Sequence, residues 1–243
     1  MPEHRRALVM CAHDDDEVIG LGGTIRKLAN AGVHVTTVIF AEGDEGYTRI
    51  EDRDKIVDQR RVERGQAQQV LGTAECVAHG FHDFDHLGSN EVYREIIRAV
   101  RLARPHVVFT HLPTDYQAHR TLAQVAPEAV WQAGWKCSAE LGEPWQVKAL
   151  YRFSVLELIA KPSHIVDITD TLEAKLKAMQ AYRSQRQVVQ GILEQIQSKA
   201  RAYGSLVGVE YGEAFVRSQA IPIVVPDPQA LMDNAAWRAG DAQ

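Results

Sequence analysis

The sequence predicts an α/β fold built on parallel strands, and three observations carry that expectation. Residues 7–12 (Ala-Leu-Val-Met-Cys-Ala) form a short apolar run that stops at a cluster of acids, as a buried strand would. A helical period follows at Val18, Ile19, Leu21, Ile25 and Leu28, closed by Asn30-Ala31-Gly32, and residues 33–40 are β-branched and apolar again. Strand, loop, helix and strand within the first forty residues make a βαβ unit, whose parallel crossover is right-handed as a rule.

The remaining elements follow in order. Residues 41–47 are polar and read as a loop, and a charged helix spans about 54–71, ending at Gly72. A third short strand is expected at 74–78. Helical spacing of Val92, Ile96, Ile97 and Val100 marks a helix over 90–104, stopped by Pro105. Val107, Val108, Phe109 and Thr110 form a fourth strand that ends at His111, with a helix from about 120 to 133. Residues 148–159 hold one or two strands, and two helices are expected over about 171–182 and 188–203. No internal repeat or linker interrupts the chain. Its 243 residues suit one domain spanning 1–243, with a core of about 7–217 and an irregular, Pro-containing tail over 222–243.

Composition removes several classes of function. The 27 Lys and Arg against 32 Asp and Glu leave a net charge of −5, without the basic excess of a nucleic-acid binder. No apolar run approaches the ~20 residues that cross a bilayer, and the N-terminal run is too short for a signal-peptide core. The three cysteines are widely spaced, so no disulfide framework is written, and a cytoplasmic location is expected. Rossmann-like enzymes of this size often associate, so a homo-oligomer is compatible with the sequence.

In an open parallel sheet, ligands bind beyond the carboxyl ends of the strands. The segments 13–17, 42–47 and 111–119 meet that description. The first is the densest: His13 followed by Asp14, Asp15, Asp16 and Glu17. A helix N-terminus needs one or two acids, and four exceed that need. Held together they repel, so some protonate or a cation neutralises them. His13 and Asp16 from one turn, with His119 after a distant strand end, form a three-ligand N/O set that suits zinc with a position open to water. Asp15, between the two local ligands, is then free to act as general base. The bland alternative is a solvated acidic turn with an incidental histidine.

The run Ala12-His13-Asp14-Asp15-Asp16-Glu17, with Gly20-Leu21-Gly22-Gly23-Thr24 after it, resembles the signature of the PIG-L/LmbE-like deacetylases, Ala-His-Pro-Asp-Asp-Glu and Gly-x-Gly-Gly-Thr. Arg60-x-x-Glu63, Arg104-Pro105-His106-Val107-Val108, Lys175, Ser184-Gln185 and Tyr211-Gly212-Glu213-Ala214-Phe215 extend the similarity over most of 7–217. The resemblance implies a Rossmann-like three-layer fold with a mostly parallel sheet and a C-terminal helical elaboration. It implies a zinc hydrolase that removes an acetyl group from an N-acetylglucosamine-type amino sugar or its conjugate. By position, His13, Asp16 and His119 would bind Zn2+, with another divalent ion as the alternative, and Asp15 would be the general base. Arg60, Asp85, Asp115 and Tyr116 are substrate-binding candidates. An ion pair between Arg60 and Glu63 on a solvated helix is the competing role for that arginine.

Two departures from the family pattern stand out. Asp14 replaces the usual proline, which adds a charge beside the site and loosens the loop. The segment 114–119 (Thr-Asp-Tyr-Gln-Ala-His) lacks the Asp usually found just before the last His and the His three before it. That His commonly stabilises the oxyanion, and Asp115, Tyr116 or His111 is left to replace it. Alternative functions are an amidase of a larger acyl or thiol conjugate, and a non-catalytic sugar- or nucleotide-binding module on a decayed site. The stretch 79–86, with three His and two Asp, is a weaker candidate for a second metal site.

Overall fold

Alternation along the first strand sorts its side chains into two cores. The computed structural model describes residues 5–222. Strand β1 (Arg6–Cys11) sends Ala7, Val9 and Cys11 to one face of the sheet and Leu8 and Met10 to the other, and all five are buried. On the first face lie α1 (Asp16–Asn30) and α2 (Arg53–Leu71), supplying Val18, Leu21, Ile25, Ala67 and Leu71. On the second lie α3 (Asn90–Ala103) and α4 (Gln117–Gln132), supplying Val92, Ile96, Val100, Leu122 and Ala126. The result is three layers, helices on both faces of one sheet.

The other strands are β2 (His34–Ala41), β3 (Glu75–Phe81), β4 (Val107–His111), β5 (Ala149–Phe153), β6 (His164–Asp167) and β7 (Gly212–Arg217). They form one seven-stranded sheet in the order β3-β2-β1-β4-β5-β7-β6. The first five are parallel. β7 runs antiparallel to both β5 and β6. The chain leaves β1 towards β2 and β3, then returns to place β4 on the other side of β1. The crevice beyond the carboxyl ends of β1 and β4 is therefore the topological switch point of the sheet.

The structure refines four expectations. β3 runs to Phe81, longer than expected; as an edge strand with mostly exposed side chains it lacks the apolar signal of a central one. α4 starts at Gln117 instead of near 120, so His119 lies in its first turn. The C-terminal part contains α5 (Leu172–Ala181), α6 (Arg183–Val188) and α7 (Ile192–Ser205), three helices where two were expected. It also adds the antiparallel pair β6 and β7. Apart from Pro222, the expected irregular tail lies outside the described residues.

One feature of α1 fixes the framework. At Leu21 (φ −151°, ψ 25°) the helix kinks, because Gly20 and Gly23 press it onto the sheet layer. A Cβ on Gly20 would stand 2.3 Å from Phe153, and one on Gly23 2.8 Å from Ile168. The kink releases the N–H of Gly23 from the carbonyl of Ile19, and a buried ion pair takes up both ends. Glu213 accepts from the Gly23 and Thr24 N–H groups at 2.9 and 2.7 Å. Lys175 donates to the Ile19 carbonyl at 2.9 Å and to Glu213 at 2.6 Å. α1, α5 and β7 are thereby tied at one point. Replacing Glu213 by Ala leaves Lys175 buried and uncompensated, so a loss of about 3–5 kcal/mol is expected in urea unfolding; a loss under about 1 kcal/mol would mean that the kink is held by packing alone.

Candidate active site

Both halves of the site hang from the switch point. β1 ends at Cys11, and Asp15 sits at the N-cap of α1 in the left-handed region (φ 88°), a conformation that Asp tolerates better than most residues. Its carbonyl accepts from Val18 and Ile19 N–H at 2.9 Å, which starts the helix. Asp16, the first helical residue, is thereby turned inward and fully buried. Its Oδ2 accepts the His13 N–H at 2.8 Å. From the other half, β4 ends at His111 and α4 delivers His119 from its first turn. Asp16 Oδ1 lies 3.2 Å from His119 Nε2, and Oδ2 lies 3.3 Å from His111 Nε2.

His13, Asp16 and His119 each offer one ligand atom, all within 4.8 Å of one another. His119 Nε2 is buried and has no hydrogen-bond partner among the described residues, although it faces Asp16. Its other nitrogen, Nδ1, is 3.3 Å from Asp115 Oδ2. Asp115 in turn accepts from the N–H groups of Val155 (3.0 Å) and Glu157 (3.3 Å). A carboxylate that fixes a histidine ring so that its free nitrogen points at two further donors is the usual outer support of a metal-binding imidazole. The donor set, two imidazoles and one carboxylate with a buried nitrogen left unpaired, fits a divalent ion of the zinc type.

The second possible group, His111, Asp115 and His119, is closed. His111 is fully buried, accepts the Ala12 N–H on Nε2 at 3.0 Å and stacks on His119 with ring centres 4.1 Å apart. Each Asp115 oxygen takes one backbone donor, and Oδ2 also faces His119 Nδ1. Neither residue borders the open cavity of about 340 Å3 that His13, Asp15 and Asp16 line; His119, also off its wall, reaches the other two triad members from behind. This corrects the sequence expectation for Asp115, which was placed with the substrate-binding residues and lies behind His119 instead. It also removes His111 and Asp115 as replacements for the missing family histidine. Tyr116 does line the cavity, half-exposed, with its hydroxyl 3.1 Å from His13 Nδ1.

Arg60 and Asp85 also border the cavity. The expected Arg60–Glu63 pair does not form: Glu63 accepts from Gln59 and from the N–H and hydroxyl of Ser184. Arg60 is buried, donates to the Asp14 carbonyl at 2.8 Å, and lies flat on the loop after β2. A Cβ on Gly43 or Gly46 would stand 2.4 Å from its guanidinium, and Gly43, at φ 72°, also holds a backbone conformation that side chains rarely adopt. Asp85 is exposed at the mouth and accepts the His82 N–H. Sequence reasoning passed over Asp83, which clamps the same loop by accepting from Gly43 and Glu45 N–H at 2.8 and 3.0 Å and lies 3.7 Å from His13 Nε2. The one available signal was its place in the acidic stretch 79–86. From that stretch, exposed His82 joins Glu42 and Asp44 in a group whose ligand atoms lie within 4.8 Å of one another, open to solvent, while His79 stacks on Phe40.

Asp14, the residue in place of the family proline, does not add its charge to the cavity. Its carboxylate is buried and takes two hydrogen bonds of 3.1 Å from Arg64. Arg64 lies one turn beyond Arg60 on the same face of α2, a spacing that was readable but not read. The two arginines pin residue 14 by side chain and by carbonyl, which supplies the rigidity that the proline would have given.

Burial sets the protonation of the cluster. It lowers His13 and His111 to about 4, so both are neutral at pH 7. Burial also works against a charge on His119, but Asp16 and Asp115 outweigh it and raise that residue to about 9. Burial holds Asp15 above the ordinary carboxylate range, opposed chiefly by Arg60. Tyr116 is pushed up by burial and by Asp16 and Asp15, so its hydroxyl keeps its proton.

These features define a class: an α/β protein with a His/Asp donor triad, a free carboxylate and a protonated phenol around one cavity at the switch point. Residues 8–130 match the family described as PIG-L, GlcNAc-PI de-N-acetylase, and the chain belongs to that family. It is 29% identical over 221 residues to the diacetylchitobiose deacetylase of Thermococcus kodakarensis, covering 86% of this chain and 81% of that protein. It superposes on N,N'-diacetylchitobiose deacetylase from Pyrococcus horikoshii with a TM-score of 0.82 at 28% identity, over 90% of this chain and 85% of the other. It also superposes on GalB, the 4-carboxy-2-hydroxymuconate hydratase of Pseudomonas putida KT2440, with a TM-score of 0.78 at 22% identity, over 92% and 99% of the two chains. That last likeness shows the fold alone, and the name of a hydratase on the same fold is a reason to argue the reaction from the site.

Glu17 offers a test of these electrostatics away from the cavity. Its Oε1 accepts from Gln68 and the Tyr182 hydroxyl, both at 2.9 Å, while Oε2 is buried without a partner among the described residues. Burial, and after it Asp14, raise this acid from 4.5 to about 8. Below about 4.5 it is protonated folded and unfolded alike; between about 4.5 and 8 only the unfolded chain ionises, so stability is lost as pH rises through that window. Glu17→Gln, which keeps the neutral form, is expected to gain in melting temperature on the parent steadily between pH 5 and 8 in metal-free protein. A difference that does not change with pH would show that Glu17 is ionised in the fold.

Proposed function

We propose that this chain is a metal-dependent N-deacetylase of an N-acetylglucosamine-type amino sugar or its conjugate. The observation that carries the reading is the triad His13, Asp16 and His119, of which His13 and Asp16 line the cavity beside Asp15, a carboxylate with no hydrogen-bond partner among the described residues. The named activity of the relatives on acetylated amino sugars supports it. Zinc bound by the triad would supply Lewis acidity, favouring ionisation of water at neutral pH and polarising an amide carbonyl.

This chain's residues do the rest. Asp15 takes a proton from the attacking water and returns it to the leaving amine nitrogen, a role served by a carboxylate whose affinity for protons is raised by burial. Tyr116 keeps its proton and stands over His13, so its hydroxyl donates to the oxygen of the tetrahedral intermediate, the task that the family pattern assigns to the histidine missing from 114–119. Arg60, Asp83 and Asp85 face the part of the cavity where sugar hydroxyls would lie. Asp115 holds the His119 ring through Nδ1. Tyr116 at the cavity gives the altered 114–119 segment a catalytic role, which favours a working hydrolase over a decayed binding module.

The test joins metal analysis to acetate release from N-acetylglucosamine and diacetylchitobiose. Asp15→Asn should lower kcat by about 10²–10⁴ with the metal content unchanged, and His119→Ala should lose the metal. Near-parental turnover by Asp15→Asn, or no turnover of any acetamido sugar by fully loaded protein, would overturn the reading. Tyr116→Phe separates the phenol's role: kcat is expected to fall by about 10²-fold or more with KM little changed, whereas an unchanged kcat assigns the oxyanion to another group.

A further inference from the structure

Large apolar side chains make up much of the cavity lining. The cavity of about 340 Å3 is lined by two chemically distinct sets of side chains. Glu45, Arg60, Asp83, Asp85 and Gln185 form a polar one. Ile19, Val155, Leu156, Val188 and Val189 form an apolar one. The apolar wall does not end there. Ile19, Val155 and Leu156 are shared with a second cavity of about 300 Å3, lined further by Leu158 and, along α7, by Ile192, Ile196 and Ala202 with Gln195, Ser198 and Lys199 among them. Leu156 and Leu158 are 54% and 61% exposed and Val188 is 44% exposed, large apolar side chains at the two cavities that a chain with no use for them would be expected to cover.

We propose that this groove is an acyl subsite, so that the enzyme hydrolyses N-acyl amino sugars with chains well beyond acetyl. The inference rests on the hydrolase reading above and extends it. An amide substrate has a hydroxyl-rich amine half and an apolar acyl half. With the scissile bond at the triad, the polar wall suits the first, and the apolar wall leads the second over Ile19 towards α7. Water adds to the acyl carbon, the C–N bond breaks, and the products are the free amino sugar and a carboxylate whose hydrocarbon chain lies in the second cavity. Each methylene removed from water is worth about fourfold in binding, so the preference for longer chains is measurable even if only part of the groove is filled.

The experiment compares kcat/KM of metal-loaded protein for N-acetyl-, N-butanoyl-, N-hexanoyl- and N-octanoylglucosamine, with the octyl glycoside of N-acetylglucosamine as a second arm. The hexanoyl compound is expected to exceed the acetyl one at least tenfold. Ser198→Trp, at an exposed position of α7 on the wall of the second cavity, should bring that ratio towards one. Binding to metal-free protein, read by calorimetry, should show the same order without any turnover. A preference for acetyl, or equal affinities across the series, overturns the acyl subsite while leaving the deacetylase reading intact. A gain confined to the octyl glycoside assigns the groove to the aglycone and overturns it too, as does a solution dimer that Ser198→Trp dissociates. If no acyl amide turns over, the hydrolase reading falls, and the calorimetric series still decides whether the groove binds acyl chains.

Discussion

A single buried carboxylate, Asp16, governs how the two halves of the sheet meet. It stands at the positive end of α1, takes the His13 N–H, and lies within 3.3 Å of both His111 and His119. A charge removed from water needs partners of opposite sign or strong donors. Asp16 draws them from two segments about a hundred residues apart, which meet only because β4 lies beside β1. The demand also explains the state of His119: burial disfavours its proton, yet the field of Asp16 and Asp115 retains it. A cation at the triad would do the same neutralising work from a better position, releasing that proton as it binds.

The second level of organisation lies behind the site. Lys175 and Glu213 replace the backbone hydrogen bonds lost at the α1 kink, and they do so from helix α5 and strand β7. The C-terminal elaboration is thus more than cover: it supplies the groups that let α1 bend onto Phe153 and Ile168. The same bend carries Ile19 to the wall that the two cavities share. Arg60 has a comparable function on the other side, where it joins the Asp14 carbonyl to the glycine loop after β2.

What was legible in the sequence divides by range. The βαβ opening and the signature 12–17 are local, and α1, α2 and α3 appear within a residue or two of their expected bounds. His119 was readable because it follows a strand end, where the topology gathers ligands. Misreadings come from tertiary contacts. Asp115 lies four residues before His119, but its role depends on α4 beginning earlier than its apolar period announces and on donors from Val155 and Glu157, forty residues on. β7 was read as a motif and not as a strand: its inner residue Glu213 is charged, and only the distant Gly23, Thr24 and Lys175 make such a residue acceptable there. Asp14 was expected to burden the site because its partner, Arg64, is fifty positions away.

Four consecutive acids would repel one another in any uniform environment, and the fold gives each a different surrounding. Asp14 turns outward from the cavity to Arg64, so its charge is matched. Glu17 enters the apolar layer under α1, where burial keeps its proton on at neutral pH. Asp16 is set between imidazoles. Asp15 alone of the four faces the cavity without a hydrogen bond among the described residues, with the Arg60 charge nearby to moderate its burial. The left-handed backbone at Asp15 makes this sorting possible, since it breaks the regular progression of side-chain directions between residue 14 and the helix. The loop thereby confines its surplus negative charge to Asp15 and Asp16, on the side where a cation and an amide would meet.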